Sequence, residues 1–468
     1  TTVAPGTDFF AYANGAYQKA LVIPADRSRY GAFDALAALS EQRVKAVMEA
    51  AAANPHATGD EARVAAFYKA YMDEGRIEAL GARPLAPTLA AIRAARSKSA
   101  LARLMGGSNS DFYGSFFGLG IGTDAKDPKH YAIYIGQGGL GLPDRDYYLQ
   151  PGFAAQKAKY EAYVAQMLTL AGWPNAQANA KAIVALETRI AEASWTRAEQ
   201  RDPVKTYNPM TPAQLAAAAP GFPWADYLAG GGLKGATRVV VSESTAIPKI
   251  AKIFAETPIE TLQAWEAFNA ADSAAPYLSK AFVDANFEFR AKTLGGQPQQ
   301  KPRWKRATAT LNSAIGEAVG RLYVAAYFPP EAKAKMEAMI GDLRAALRAR
   351  IERVAWMSPE TRAKALDKLS KFGVKIAYPD KWRDYSALTL RADDLVGDVR
   401  RASAFEWNRQ VKRLYGPVDR TEWGMTPQTV NAYYSPTENE IVFPAAILQP
   451  PFFDPGADMA INYGAIGG

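Results

Sequence analysis

Cysteine is absent from all 468 residues. That absence removes disulfides, thiol nucleophiles, iron–sulfur clusters and thiolate-bound zinc together, and it leaves the cellular compartment open. Histidine is scarce as well, with only His56 in the loop-like NPHATG and His130 beside a strand start. Each reads as an exposed or locally bonded side chain. A serine–histidine–aspartate triad would need one of them, and a helix-borne zinc site needs two imidazoles one turn apart, which this chain lacks. No apolar run reaches the ~20 residues that span a bilayer. The first residues hold neither an initiator methionine nor a basic stretch leading into an apolar one, so the expectation is a mature soluble chain whose leader has been removed. A block of one charge is also missing. Lys and Arg number 55 against 47 Asp and Glu, for a net +8, and they are scattered in segments such as KPRWKRA. That distribution argues against nucleic acid as a partner.

What is present is a globular composition, 49% hydrophobic, long enough for two or three domains. Helical periodicity dominates. Met336, Ile340, Leu343, Leu347, Ile351 and Val354 recur every three or four residues and predict one apolar stripe on a long helix. Thr257-Pro258 with Glu260, Thr211-Pro212 with Gln214, and Ser358-Pro359-Glu360 read as helix starts, the last leading to Leu366 and Leu369. Strand signals are fewer: DFYGSFFGLGI, HYAIYIG and TRVVVSE. The clearest hairpin is late, with TVNAYY and EIVFP flanking the turn-rich SPTEN. A hinge is expected at LGGQPQQKP, residues 294–302.

Two motifs invite chemistry and then withhold it. GQGGLG at residues 136–141 fits a dinucleotide fingerprint, but LPDRDYY follows at once, where a helix should present its amino end to a pyrophosphate. The acidic pairs Asp144 with Asp146 and Glu438 with Glu440 suit a hard cation in number, yet on turns such pairs are ordinarily solvated. By its own residues the chain has no identifiable catalytic machinery. Its end, INYGAIGG, is small and apolar after the dense IVFPAAILQPPFFDP, and looks interrupted.

The late hairpin carries the most physical information. In TVNAYYSP, Val430, Ala432 and Tyr434 share one strand face, and Asn431 and Tyr433 the other. On a sheet edge, free backbone groups and the Asn431 amide would hold an extended peptide by strand addition. Alternatively, Asn431 caps or kinks an ordinary strand. Downstream, Ile447 and Phe452 suit either a core or the wall of a side-chain pocket.

NAYYSPTENEIVFPAAILQPPFFDP followed by INYGAIGG resembles the neprilysin and endothelin-converting-enzyme family of zinc metallopeptidases. So do DFFAYANGAY, SRYGAFDAL, GLGLPDRDYYL, RDPVKTYNPM and DSAAPYLSKAFVDANFEF, in family order across nearly the whole chain. The resemblance implies that Asn431 and Ala432 hold the substrate backbone. It implies that Phe33, Ile447 and Phe452 line the pocket for the residue after the scissile bond. It further implies that Arg29 and Asp34 serve the next subsite, where a second family arginine is replaced by Ala37, weakening any preference for a free carboxylate there.

By the same resemblance NYGAIGG leads into a zinc helix, H-E-x-x-H, in which two histidines hold zinc and the glutamate activates water, with a third ligand in a later E-x-x-x-D. These ligands are expected beyond Gly468, so no catalytic or metal residue is assigned within this chain. The implied fold is mainly α with small β elements and two lobes. A large helical roof lobe at 36–392 faces an incomplete thermolysin-like catalytic lobe formed by 1–35 and 393–468. The implied function is zinc endopeptidase action, when intact, on small peptides at the amino side of large apolar residues, outside the cytoplasm in a periplasmic, secreted or lipid-anchored form. The missing C-terminal segment would be a partner if cleaved yet associated. The alternative is a peptide-binding module that has lost the zinc helix.

Overall fold

The computed structural model describes residues 3–467; Thr1, Thr2 and Gly468, the last residue of the INYGAIGG block, lie outside the described residues. The chain is mainly helical, 59% helix and 8% strand, with two small sheets. The first sheet orders its strands β1 (Phe117–Thr123), β2 (Tyr131–Gln137), β4 (Val239–Val241) and β3 (Asn208–Met210). Three of these fall on the expected strand segments. The second sheet orders β5 (Gly373–Ala377), β7 (Glu440–Pro444) and β6 (Tyr433–Ser435). Strands β6 and β7 form the expected hairpin, with Tyr433 opposite Val442 and Ser435 opposite Glu440, while β5 runs parallel to β7.

Two hydrophobic cores hold the molecule. The first packs helices Ala154–Leu170, Ala176–Ala193 and Ile259–Ala274 against the first sheet, around Phe116, Tyr160, Phe254 and Trp265. The second gathers Val44, Met48 and Phe67 from helices Ala32–Ala53 and Gly59–Met72 with Leu311 and Val319 from helix Arg303–Tyr327, and with Phe443, Ile447 and Phe453. It therefore joins segments from both sides of residue 392. The expected hinge lies where the chain crosses from the first core to the second, because Leu294 packs on one and Ala307 on the other. Helix Leu395–Arg413 serves both, giving Trp407 to the first and Val399 to the second.

The local signals fare unevenly. Thr211 and Gln214 form a complete capping box, and Ser358 accepts a hydrogen bond from the Thr361 amide at 3.1 Å. Thr257 does not cap its helix: its hydroxyl donates to the Ile253 carbonyl of the preceding helix at 2.7 Å. The apolar stripe on helix Pro330–Arg353 is buried at Met336 and Ile340, but Leu343 and Leu347 are 43% and 48% exposed. Among the described residues no helix is long and apolar enough to cross a membrane.

GQGGLG is a packing device. No helix follows β2 at once, and a Cβ on Gly141 would collide with the Tyr160 hydroxyl. Beside it, the wholly buried Glu187 accepts hydrogen bonds from Tyr148 Oη at 2.7 Å, Trp265 Nε1 at 2.9 Å and Tyr160 Oη at 3.2 Å. Burial pushes its carboxyl up to about 7 against the pull of those donors.

Candidate peptide-binding site

The acidic pairs are neither solvated nor metal-like. Asp144 pairs with Arg197 at 2.9 Å and accepts from the Asp146 amide. Glu440, expected on a turn, is instead buried on β7, where Lys375 Nζ lies 2.6 Å away. His130 is exposed and bonded locally to Asp127, and His56 is exposed. Among the described residues no group of three His, Cys, Asp or Glu side chains is placed to hold a metal ion. The residues present do not fit zinc.

Strand β6 is the outer strand of its sheet, so the hairpin does present an edge. The paired strand is shorter than TVNAYY suggests. Residues 426–430 form a turn, with the Thr429 amide donating to Thr426 O at 3.0 Å and the Asn431 amide to Thr429 O at 3.1 Å. Asn431 and Ala432 lie in the unpaired stretch that leads into β6. The expected alternation holds only as far as Ala432: Val430 and Ala432 pack on the second core and Asn431 is exposed. Tyr434, expected on the face of Val430 and Ala432, is 41% exposed, while Tyr433 is partly covered, because the paired strand begins only at Tyr433. Asn431 Oδ1 accepts from the Ala432 amide at 2.9 Å, which fixes the side chain against its own backbone.

The apolar residues assemble in part. Phe33, 53% exposed on the first turn of helix Ala32–Ala53, meets Phe452 with ring centroids 4.3 Å apart. Phe452 packs in turn on the second core, which buries Ile447 within the short turn Ala445–Ile447. Ile447 is thus buried in the core on which Phe452 packs and does not open to solvent as a pocket wall would. Asp34 lies 4.0 Å from Arg27, whose guanidinium donates to Glu41 at 2.8 Å. Arg29 is exposed. A separate cavity of about 940 Å³ lies where the cores meet, lined by Tyr131, Trp382, Phe405 and Trp423 among others, and none of the seven expected site residues lines it.

Several side chains that place this site carry no local sequence signal. Ser40 Oγ donates to Gln428 O at 2.8 Å, and Arg43 donates to Gln449 Oε1. Both sit on the helix that carries Phe33 and Asp34. They tie it to the two segments that carry Asn431 and Phe452. Large apolar side chains are exposed elsewhere on the surface as well. Helix Phe9–Ala20 has no buried residue and exposes Phe9, Phe10 and Tyr17, while Trp356 is 81% exposed.

The last helix among the described residues, Met459–Ile466, is docked on the rest of the fold. Asp458 caps it, Asn462 exchanges two 2.8 Å hydrogen bonds with the Asp454 backbone, and Tyr463 Oη donates to Asp342 at 2.6 Å.

The chain matches the models of peptidase family M13 over residues 5–379 and 431–468. It is 30% identical, over its whole length, to an endothelin-converting enzyme homolog of Locusta migratoria and to endothelin-converting enzyme 1 of Homo sapiens. It spans 68% and 63% of those two proteins. Among solved structures it is similar to the Mycobacterium tuberculosis zinc metalloprotease Zmp1 in complex with an inhibitor, with a TM-score of 0.95 and 39% identity. That match covers 100% of this chain and 72% of the other. PepO from Lactobacillus rhamnosis gives a TM-score of 0.89 at 26% identity, covering 99% of this chain and 74% of that one.

Proposed function

The chain belongs to peptidase family M13, and from that premise we propose that the intact protein is a zinc metalloendopeptidase cleaving small peptides on the amino side of large apolar residues. The observation that carries the proposal is the contact of Phe33 with Phe452, two residues from opposite ends of the chain joined in one half-open apolar surface. A large apolar substrate side chain buried there gains roughly 1.5–3 kcal/mol. Asn431 and Ala432, at the start of an edge strand, align the peptide backbone. The Asn431 Nδ2 group and the Ala432 carbonyl are the groups a peptide strand meets. Arg29, with Asp34 held by Arg27, serves the following subsite.

Zinc belongs to the proposal as a group held outside this chain, by ligands in polypeptide beyond Gly468. That polypeptide would also cover the exposed aromatics of helix Phe9–Ala20 and the outer half of helix Pro330–Arg353. The lobe assignment follows the same reading, with 1–35 and 393–468 on the catalytic side. The shared second core supports adding helices Ala32–Ala53, Gly59–Met72 and Arg303–Tyr327 to that side, which leaves the first core as the roof. The protein is proposed to work outside the cytoplasm.

Metal analysis and a peptide cleavage assay on the 468-residue chain and on the full-length protein test the proposal together. The expectation is stoichiometric zinc and cleavage before large apolar residues in the full-length protein, and neither in the 468-residue chain. Zinc-dependent cleavage by the 468-residue chain, or none by the zinc-loaded full-length protein, contradicts it.

A further inference from the structure

Asn431 and Ala432 lie in a stretch that pairs with no strand, and their hydrogen bonds are to each other and to Thr429, so their placement depends on the segment just before them. Pro427 and Gln428 are both buried. The Gln428 side chain reaches helix Arg303–Tyr327 and donates through Nε2 to Asn312 Oδ1 at 2.8 Å and to Gly316 O at 2.9 Å. That helix leaves helical geometry at Ile315, at φ −134° and ψ 39°, immediately before the carbonyl Gln428 engages. Two glycines make the close approach possible. A Cβ on Gly316 would stand 2.6 Å from Thr426 Cγ2, and one on Gly320 would stand 2.8 Å from both Gln428 Oε1 and Pro427 Cδ. The main chain is pinned as well, since Ser40 Oγ donates to Gln428 O at 2.8 Å and the Ala446 amide donates to Pro427 O at 2.9 Å.

We propose that Gln428 is a positioning residue for peptide binding: seated in the glycine-lined kink of helix Arg303–Tyr327, it sets the path of residues 428–432 and thereby aims Asn431 and Ala432. The inference rests on the reading of those two residues as the peptide-aligning pair. Side-chain insertion at a helix kink is a recognised cause of such bends. Here it couples three elements distant in sequence, because the helix bearing Phe33 supplies Ser40 and the turn bearing Ile447 supplies Ala446. The aligning segment and the apolar pair are thus held by a common frame.

Hydrogen exchange on the 468-residue chain reads the positioning without any peptide. Gln428→Ala should speed exchange at the amides of 429–433 by about tenfold, with helix Ala154–Leu170 in the first core unchanged. Gly320→Ala, which drives a methyl against Gln428, should act on the same amides. Unchanged exchange at 429–433, or an increase spread equally through both cores, overturns the proposal. If Gln428→Ala does not fold, Ser40→Ala removes the second tie and carries the same expectation at smaller size. In the zinc-loaded full-length protein, Gln428→Ala should raise KM for an extended peptide about tenfold with a smaller change in kcat. Loss of active protein at unchanged KM identifies a merely structural role and also overturns the proposal. Because the exchange arm needs no substrate, it still decides the positioning if the peptidase reading itself fails.

Discussion

Phe33 and Phe452 stand with ring centroids 4.3 Å apart and planes tilted by 44°, although one follows the N-terminal segment and the other the late hairpin. Neither ring is buried, so the pair is held together while part of its surface stays open. A ring pair of this kind gains about 0.5–1.5 kcal/mol beyond area burial.

The first prediction concerns selectivity. Phe33→Ala and Phe452→Ala should each lower kcat/KM of the zinc-loaded full-length protein by about tenfold or more for peptides with Phe or Leu after the scissile bond. Peptides with Ala there should lose much less. The double variant should lose less than the two single losses combined, because the rings touch. Equal losses for Leu and Ala peptides would remove these residues from the side-chain pocket.

Glu187 makes stability depend on pH. Its carboxyl is pushed up to about 7 in the fold against an ordinary value of 4.5, so the folded state binds this proton more tightly than the unfolded state. The contribution is fully present below about pH 4.5 and is lost as pH rises through about 7, a change of ~3 kcal/mol by linkage. Glu187→Gln should flatten the fall in thermal midpoint between those pH values. Midpoint profiles parallel to those of the parent protein would contradict the assignment.

Much of the fold was legible in the sequence. Helix periodicity, the capping box at Thr211 and the late hairpin all depend on neighbours within a few positions. Strand β5 was not legible. It is short, and it pairs in parallel with β7 across a long stretch of chain, so no turn residue announces it. The signals at Thr257 and Thr211 look alike, but Thr257 donates backwards to Ile253, a choice made by the preceding helix. The stripe from Met336 to Leu347 was read correctly as apolar, yet periodicity cannot state which part is covered. At the site, family blocks pointed to Asn431, Phe33 and Phe452, whereas Ser40, Arg43 and Gln428 act through contacts remote in sequence.

The hairpin should be sensitive to a buried ion pair. Glu440 on β7 is nearly inaccessible and meets Lys375 on β5 at 2.6 Å, and Lys375 Nζ also donates to Glu422 O at 2.7 Å. Lys375→Ala leaves the buried carboxylate only the half-exposed Arg420 guanidinium, 3.8 Å away, and should cost up to about 3–5 kcal/mol in chemical denaturation at pH 7. Replacing both partners, Lys375→Met with Glu440→Leu, should recover most of that loss. A single-variant cost below ~1 kcal/mol would mean that water reaches the carboxylate.

The most direct measurement is kcat/KM of Asn431→Ala in the zinc-loaded full-length protein, on a peptide with Phe or Leu after the scissile bond and with zinc content checked in both proteins. A fall of about tenfold to a hundredfold at unchanged zinc content is expected, because the backbone of the peptide loses its aligning amide. An unchanged kcat/KM would contradict the assignment of this edge segment as the peptide-aligning element.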